Sequence, residues 1–368
     1  MKCKFPFNWT LKNSIFTKDK GTVFSCFACG GGSTMGYKLA GFDVIGCNEI
    51  DPKINEVYVE NHHPRLNFNC DIRKLVTKAK EKALPHELYN LDILDGSPPC
   101  STFSIAGNRE SDWRKEKKFR EGQSKQILDT LFFDFIDLTK ELKPKVVVAE
   151  NVKGLLIGTA INYVIKIYKE FDKAGYYCQH FLLNSENMGV PQSRERVFFI
   201  CIRHDLGINF LKVSDLFNVE PYIKLDFDEP KTPFKEIYKP KDIPMKSMTR
   251  IVSEGWDLKK FGEKCMGETY QRVTGKRKAF SYMYLYKDEV CGTLAAHVDN
   301  ACYVIFDEKR LLSKREWLLI SSFPSDYNFL QMNPGYIMGM SVPPVMMAQI
   351  AQRIWDYWLS KLQTTKEK

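Results

Sequence analysis

Short apolar runs alternate with longer stretches of helical periodicity over residues 21–205. Because parallel strands are joined by helical crossovers, this alternation is typical of βαβ units. Leu131–Ile136 and Ile161–Phe171 have the apolar spacing of amphipathic helices. The predicted strands are Thr22–Ser25, Val44–Cys47, Leu91–Leu94, Val146–Ala149, Cys178–Leu183 and Val197–Ile202. The pattern predicts an α/β fold with a doubly wound, mostly parallel sheet.

The alternation stops between about residues 206 and 310, where proline, lysine and glycine become frequent. Within that stretch Ser281–Tyr286 alternates like a strand with one packed face. The chain then turns helical again, with Ser313 as a predicted N-cap and Val345–Leu359 as a terminal helix. We therefore predict a first domain over 1–205, a second, smaller domain over 206–310, and a segment, 311–368, that returns to the first domain.

The chain is basic, with a formal net charge of +9 over 368 residues. From Lys231 to Val290 there are 14 Lys and Arg against 8 Asp and Glu, a local charge of +6 (14 minus 8). Aromatic residues are interleaved with these cations, from Trp256 to Tyr286. Cations for phosphates and aromatic rings for bases are typical of a nucleic-acid surface. An ordinary basic surface over core aromatics is the alternative.

Eleven cysteines and the absence of a signal-peptide core indicate free thiols and a cytoplasmic protein. No apolar run approaches the ~20 residues of a membrane span, so we expect no membrane partner. Cys26 and Cys29 form a Cys-x-x-Cys pair, but no second pair or nearby histidine pair completes a zinc site. We therefore predict no metal.

Two apolar runs end in residues that can carry chemistry. One leads into Pro98, Pro99 and Cys100, and the other ends at Glu150. The prolines fix φ and stiffen the turn that holds the thiol, which is a nucleophile once it is a thiolate. A buried structural cysteine is the alternative. Together the runs pair a rigidly held thiol with a carboxyl group.

A glycine-rich turn, Cys29–Gly32, follows the first predicted strand, and Glu49 ends the second. Such a turn lets backbone amides approach an anionic group, and a carboxylate after the next strand can bind a ribose. These features predict a cofactor that contains a nucleoside. Arg194 and Arg196 enter the last strand at alternate positions, so both guanidiniums are expected to face one cleft. A surface Arg-Glu-Arg ladder is the alternative.

In this order, the motifs resemble those of the DNA (cytosine-5) methyltransferases of the bacterial modification-enzyme type. The resemblance runs from about Thr22 to the last helix and leaves only residues 206–290 unmatched. Its motifs are the turn at Phe27–Gly32, Asn48–Asp51, Cys70–Ile72, Ser97–Cys100, Glu150–Val152, Gln192–Arg196, Arg310–Glu316 and Gly339–Pro344.

The resemblance implies a Rossmann-like catalytic domain that binds S-adenosylmethionine and releases S-adenosylhomocysteine. It implies that Cys100 attacks C6 of a flipped-out cytosine, that Glu150 bonds the ring nitrogen and amino group, and that Arg194 supports the base with Arg196 nearby. Residues 206–310 become a target recognition domain. The implied cofactor-binding residues are Phe27, Ala28, Gly31, Gly32, Glu49, Ile50, Asp71, Ile72, Pro99, Ser341 and Val342.

The implied partner is double-stranded DNA, bound by a monomer of a bacterial or phage-encoded enzyme, and a restriction endonuclease is a candidate cognate partner. Three residues depart from the family pattern: Cys29 replaces a glycine, Ser101 a glutamine and Met340 an asparagine.

Three other functions share part of this pattern. A relative acting on transfer RNA would share the cysteine and the glutamate, but the long recognition segment favours DNA. An inactive DNA-binding relative is disfavoured by the intact Cys100, Glu150 and Arg194. A nicotinamide dehydrogenase would need a Gly-x-Gly-x-x-Gly after the first strand, which the chain lacks.

Overall fold

The computed structural model describes residues 3–99, 116–117, 126–127, 130–213, 219–276, 282–296 and 303–364. The chain packs into two compact units. The sheet unit consists of Ile15–Asn184, Glu195–Asp226 and Met347–Lys368, and the second unit of Met1–Ser14, Ser185–Arg194 and Phe227–Met346. The chain passes from one unit to the other after residues 14, 184, 194, 226 and 346. These units are defined by packing, so the predicted boundaries of the functional domains at residues 205 and 310 stay a prediction.

Seven strands form the central sheet of the sheet unit, in the order β3-β2-β1-β4-β5-β7-β6. Neighbouring strands from β3 to β5 run parallel, and β7 runs antiparallel to both β5 and β6. The strands are β1 Thr22–Cys26, β2 Asp43–Asn48, β3 Leu66–Phe68, β4 Ile93–Gly96, β5 Val146–Val152, β6 Tyr176–Asn184 and β7 Glu195–Arg203. The predicted α/β fold with a mostly parallel sheet is confirmed.

The predicted β5, β6 and β7 are each longer in the structure, with β5 continuing three residues past Ala149, and two further strands differ in other ways. The run Leu91–Leu94 was placed two residues too early, because β4 continues through a buried carboxyl, Asp95, to Gly96. The strand β3, which was not predicted, lies at the sheet edge and pairs only with β2. Its three residues are half-buried or exposed, so they lack the apolar run that marks a central strand.

Helices of the sheet unit cover both faces of this sheet, and the helices between residues 227 and 343 belong to the second unit. The helices of seven or more residues are α1 Gly32–Leu39, α2 Pro52–His62, α3 Ile72–Lys80, α4 Leu131–Leu142, α5 Ile161–Lys173, α6 Arg250–Asp257, α7 Met266–Thr274, α8 Lys314–Ile320, α9 Pro334–Met340 and α10 Pro344–Ile354. Apolar residues of α3, α4 and α5 pack against one face in the main core, which includes Phe24, Val147 and Phe199. On the opposite face, the Tyr37 hydroxyl of α1 reaches Asp95.

In the second unit, β10 Met283–Leu285 and β11 Tyr303–Ile305 form a parallel pair. The capping box at Ser313 and Glu316 confirms the predicted start of α8. Trp256 donates its ring N–H to the carbonyl of Ile305 at 2.8 Å, and Tyr284 is buried, so these aromatics pack in a core. Phe261 is 87% exposed and is the aromatic of this segment most open to a partner among those described.

Smaller elements complete the chain. The hairpin β8 Leu211–Val213 and β9 Val219–Pro221 follows β7, and Glu116–Lys117 pairs with Gln126–Ile127. After α10, the predicted terminal helix continues as a π-helical turn, Trp355–Leu359. The nine cysteines of the described residues form no disulfide. No helix in the described ranges has the length and apolar character needed to span a membrane.

Candidate active site

The turn between β1 and α1 has an unusual backbone. Phe27, Cys29 and Gly31 all have positive φ, of 53°, 47° and 75°. A Cβ on Gly31 would lie 2.1 Å from the Nε2 atom of His62, so the close approach of the imidazole also requires glycine. Left-handed residues in a turn gather backbone N–H groups into a concave surface that suits an anion. The turn ends at the N-terminus of α1, which favours an anionic group such as the carboxylate of an amino-acid-like ligand.

Cys29 carries strain at this turn, because its φ of 47° is a conformation that side chains disfavour. We expect Cys29→Gly to be more stable than Cys29→Ala by about 1 kcal/mol, since both changes remove the thiol and only glycine relieves the left-handed strain. Chemical denaturation of the two variants measures the difference. Equal stabilities would show that the turn relaxes around a side chain at no cost.

Glu49 lies directly after β2 and is 7% exposed. Its carboxylate accepts the backbone N–H of Cys29 at 2.9 Å and that of Asp51 at 2.9 Å. Burial raises the pKa of Glu49, and these two N–H groups oppose the rise. Each carboxylate oxygen keeps a second lone pair, so Glu49 can still accept hydrogen bonds from the hydroxyls of a ribose.

Asp71 and Ile72 lie after β3, at the start of α3. Asp71 accepts the backbone N–H of Arg73 at 2.9 Å and pairs with the guanidinium of Arg73 at 3.1 Å. Ile72 is 2% exposed and belongs to the main core. The cap fixes the Asp71 carboxylate beside the sheet edge, and Arg73 is in turn held by Asp134 at 3.0 Å.

The structure thus brings most of the predicted cofactor-binding residues to the carboxyl ends of three neighbouring strands, β1, β2 and β3. In doubly wound sheets, ligands bind at this edge. The residues placed there are Phe27, Ala28, Gly31, Gly32, Glu49, Ile50, Asp71 and Ile72. Their individual roles stay a prediction.

Asn151 connects the run that leads to Pro98 with the run that ends at Glu150. The end of β4 lies beside β5, with Gly96 paired to Ala149, and β5 continues three residues further to Val152. Asn151 is 3% exposed, and its Nδ2 donates to the carbonyl oxygen of Pro98 at 3.2 Å. The turn that leads through Pro99 is therefore fixed at the end of β5. Cys100 and Ser101 lie outside the described residues.

Glu150 forms a buried ion pair with Arg196. The distance from the Arg196 Nε to the Glu150 Oε1 is 3.0 Å, and the side chains are 15% and 11% exposed. Burial lowers the pKa of Arg196, and the charge and hydrogen bond of Glu150 oppose this shift. Because β5 and β7 are antiparallel, with Glu150 opposite Phe198, Arg196 is a diagonal neighbour of Glu150. Arg196 thus holds the Glu150 carboxylate in place.

Arg194 has different partners from Arg196. It is 3% exposed and donates to the carbonyl oxygens of Leu294 at 3.2 Å and Gly339 at 2.9 Å. Strand β7 begins at Glu195, so the alternation of side chains that placed both arginines on one face does not extend to Arg194. Arg196 is thus the arginine that pairs with Glu150, and a role of either arginine in catalysis stays a prediction.

Ser341 and Val342 lie in the second unit at the end of α9, and both are 4% exposed. The Ser341 hydroxyl donates to the carbonyl of Ile337 at 2.8 Å. Met340, which departs from the family pattern, is 41% exposed. A contact of Ser341 or Val342 with a cofactor stays a prediction.

Two buried polar residues near this edge were missed from the sequence. His62 approaches the carbonyl oxygen of Gly30 at 3.3 Å through Nε2, and burial lowers its pKa well below the usual range. Asp95 accepts hydrogen bonds from Ser25 and Tyr37. A carboxyl group inside an apolar run was a signal for Asp95, whereas nothing in the spacing around His62 marked it. Among the described residues, His, Cys, Asp and Glu nowhere group in threes that could hold a metal ion.

Comparison with known proteins decides the family. The model of the family described as C-5 cytosine-specific DNA methylase matches residues 21–356. The chain belongs to this family. The methyltransferase M.FnuDI of Fusobacterium nucleatum is 30% identical over 94% of the chain and 97% of its own length. M.HhaI of Haemophilus parahaemolyticus is 31% identical over 54% of each chain. The family assignment makes this chain a DNA (cytosine-5) methyltransferase of the restriction–modification type.

Solved structures agree on the fold of this methyltransferase. A DNA modification methyltransferase encoded within an E. coli prophage superimposes with a TM-score of 0.65 at 19% identity, over 91% of this chain and 99% of that one. A DNMT2 mutant of Spodoptera frugiperda superimposes with a TM-score of 0.61 at 17% identity, over 91% and 99% of the two chains. At these identities the likeness concerns the fold alone.

Proposed function

We propose that this methyltransferase transfers a methyl group from S-adenosylmethionine to C5 of a cytosine flipped out of a specific duplex sequence, through a covalent bond between Cys100 and C6. The observation that carries the proposal is the link from Asn151 to the Pro98 carbonyl, next to the buried pair of Glu150 and Arg196. It holds the turn that leads to Pro99 and Cys100 against β5, at the residue that follows Glu150.

Cytosine C5 is a weak nucleophile until a thiolate adds to C6. Addition of the Cys100 thiolate forms the C6–S bond and moves electron density towards N3, where Glu150 donates a hydrogen bond or a proton. Arg196 keeps Glu150 oriented towards the base through their 3.0 Å contact. After C5 is methylated, loss of the C5 proton breaks the C6–S bond and releases Cys100. A stacked base cannot reach these groups, so the cytosine must leave the helix.

The residues after β1, β2 and β3 fit S-adenosylmethionine. The left-handed turn at Phe27–Gly31 leads into the N-terminus of α1 at Gly32, which favours a carboxylate, and Glu49 offers acceptor capacity to a ribose. Ile50 would pack against the adenine ring, and Asp71 would accept a hydrogen bond from its exocyclic amine. When bound, the cofactor supplies an electrophilic methyl group on a sulfonium.

Methylation sequencing of DNA and RNA from cells that express this chain tests the function. We expect C5-methylated cytosine in DNA at one recurrent sequence, absent from cells without the chain. Methylation confined to transfer RNA would replace the proposal with the RNA-modifying alternative. Expressed protein without new methylation in either polymer would overturn the proposed activity.

The target recognition domain proposed for residues 206–310 predicts a transfer of specificity. We expect a chimera that carries this block in a relative with another site to methylate the site of this chain, because base-edge contacts determine the sequence that is read. Methylation sequencing of the chimera checks this. An active chimera that keeps the host's site would move sequence recognition outside 206–310.

A further inference from the structure

His62 is a buried histidine at the end of α2 to which the proposed reaction gives no role. It is 6% exposed, and its Nε2 lies 3.3 Å from the carbonyl oxygen of Gly30. A carbonyl oxygen only accepts, so Nε2 carries the proton and donates it. Burial lowers the pKa of His62 well below its usual range, so the imidazole is uncharged at neutral pH. His62 thus supplies a neutral hydrogen-bond donor to the turn between β1 and α1.

The imidazole ring also packs closely against this turn. It occupies the space that a side chain on Gly31 would need, because a Cβ there would overlap Nε2. On its other side the ring contacts that of Tyr58, with 4.6 Å between the two centroids. Tyr58 is fully buried and shares a small core cluster with Ala28, near the start of the turn. Packing on α2 therefore fixes the position of the Nε2 donor.

The same end of α2 holds the helix that follows the turn. The hydroxyl groups of Tyr58 and Thr34 share a hydrogen bond of 2.8 Å, and Thr34 lies in the first turn of α1. Further along α1, the Lys38 Nζ donates to the carbonyl oxygen of His62 at 3.1 Å. The end of α2 is thus bonded both to the turn, at Gly30, and to α1.

The backbone around Gly30 needs contacts of this kind. Gly30 lies between two left-handed residues, Cys29 with a φ of 47° and Gly31 with a φ of 75°. A side chain disfavours that conformation, and strained backbone persists only where surrounding contacts hold it. The bond from His62 to the carbonyl oxygen between these two residues is one such contact.

Glu49 provides a second and separate contact to the turn. Its carboxylate accepts the backbone N–H of Cys29 at 2.9 Å, and the proposed function assigns the same carboxylate to the ribose. Loss of the His62 donor leaves this bond in place, so the adenosine part of the site should keep its geometry. The part that changes is the Gly30 side of the turn. It leads into the N-terminus of α1, where the carboxylate of the cofactor is proposed to bind.

We propose that His62 is a positioning residue, which holds the Gly30 carbonyl so that the N-terminus of α1 stays in place for the carboxylate of S-adenosylmethionine. This inference rests on the proposed function, which assigns the amino-acid end of the cofactor to α1 and its ribose to Glu49. His62 acts through the turn and selects for one end of the cofactor. It should therefore matter for ligands that carry a carboxylate and not for those that lack one.

Two ligands that differ at the amino-acid end test the inference without any turnover. S-adenosylhomocysteine and 5′-methylthioadenosine share adenosine and a thioether, but only the first has a carboxylate. His62→Phe keeps a ring and removes the donor. We expect calorimetry to show that it binds S-adenosylhomocysteine roughly tenfold more weakly than the parent, the scale of one hydrogen bond. It should bind 5′-methylthioadenosine like the parent, whereas a general loosening of the fold would weaken both ligands alike.

Two amide variants separate the hydrogen bond from the ring. The amide nitrogen of glutamine can take the place of Nε2, so His62→Gln should recover affinity for S-adenosylhomocysteine. The shorter side chain of His62→Asn does not reach Gly30 and should not recover it. His63→Asn is the matched control, because His63 is exposed and has a φ of 45°, a conformation that asparagine tolerates. It should bind both ligands like the parent.

The kinetics of methyl transfer give an independent readout. An interaction that holds the cofactor equally before and during the reaction changes KM and not kcat. In His62→Phe we therefore expect the KM for S-adenosylmethionine to rise by about the same factor as the dissociation constant of S-adenosylhomocysteine. The kcat at saturating cofactor should stay that of the parent. A fall in kcat with an unchanged KM would contradict a role in cofactor positioning.

The outcomes separate the two proposals. A parent that binds neither S-adenosylmethionine nor S-adenosylhomocysteine would overturn the proposed function. A parent that binds them, with His62→Phe weakened for both test ligands or for neither, would overturn the role of His62 alone. If His62→Phe does not fold, the amide variants decide. Weaker binding of S-adenosylhomocysteine by His62→Asn than by His62→Gln supports the role, and equal binding contradicts it.

Discussion

Replacement of Cys100 by serine is expected to reduce methyl transfer to background, while binding of duplex DNA persists. A serine hydroxyl stays protonated at neutral pH and is a far weaker nucleophile than a thiolate, so addition to cytosine C6 fails. DNA that carries 5-fluorocytosine at the target gives the direct measurement. Fluorine cannot leave C5 as a cation, so the enzyme stays bound to the base through the C6–S bond after methylation. The parent should form this adduct, and Cys100→Ser should not.

Cys178→Ser is a matched control for this experiment, because Cys178 is a half-buried cysteine on β6. It should form the adduct like the parent. An adduct that persists in Cys100→Ser and disappears in another cysteine variant would assign the nucleophile to that cysteine. The link between the Pro98–Pro99 turn and the strand of Glu150 would then no longer support the proposed mechanism.

For Glu150→Gln, single-turnover methyl transfer is expected to slow by roughly 10²- to 10⁴-fold, the range that follows loss of a positioned acid or base. Glutamine keeps the size of the side chain but cannot supply a proton to N3. It also leaves the buried Arg196 without its ionic partner, so some loss of stability should accompany the loss of rate. Rapid-quench measurement with pre-bound DNA separates the chemical step from binding.

Glu195→Gln provides the comparison for Glu150→Gln. Glu195 starts β7, and its ion pair with Lys153 at 2.8 Å is largely exposed, with the side chains 42% and 39% accessible. Exposed pairs contribute little, so the rate of this variant should stay near that of the parent. Rates for Glu150→Gln within a few-fold of the parent would remove Glu150 from the chemistry.

The strands that sequence alone located are those with apolar runs buried on both faces, such as Val146–Ala149 and Val197–Ile202. A strand that is buried on both faces has apolar residues at successive positions, so its sequence shows a continuous apolar run. Strand β3 escaped because an edge strand needs no such run, and β4 was misplaced because Asp95 is a polar residue inside it. The hydrogen bonds that Asp95 accepts from Ser25 on β1 and Tyr37 on α1 allow its carboxyl group to be buried. These contacts join residues far apart in sequence, so a local pattern does not reveal them.

The candidate site was predictable to a similar extent. Glu49 follows β2, and in a parallel sheet the residues after successive strands share an edge. Glu150 was found because it follows the apolar run Val146–Ala149, although β5 continues past it to Val152.

The partners of the arginines were not predictable. Strand β7 begins at Glu195, so Arg196 lies within it and Arg194 lies just before it. Arg196 pairs with Glu150, whereas Arg194 donates to backbone carbonyl oxygens. Strand boundaries depend on pairing with distant residues.

The winding of the chain between the two units has a consequence for synthesis. Trp9 donates its ring N–H to the carbonyl of Ser322, 313 residues later, and Asp326 accepts the backbone N–H groups of Leu11 and Lys12. At about 5–20 residues per second, a ribosome needs roughly 15–60 s to cover that separation. All seven strands of the sheet have emerged by then, so the contact between Trp9 and Ser322 forms only after the whole sheet is available to fold.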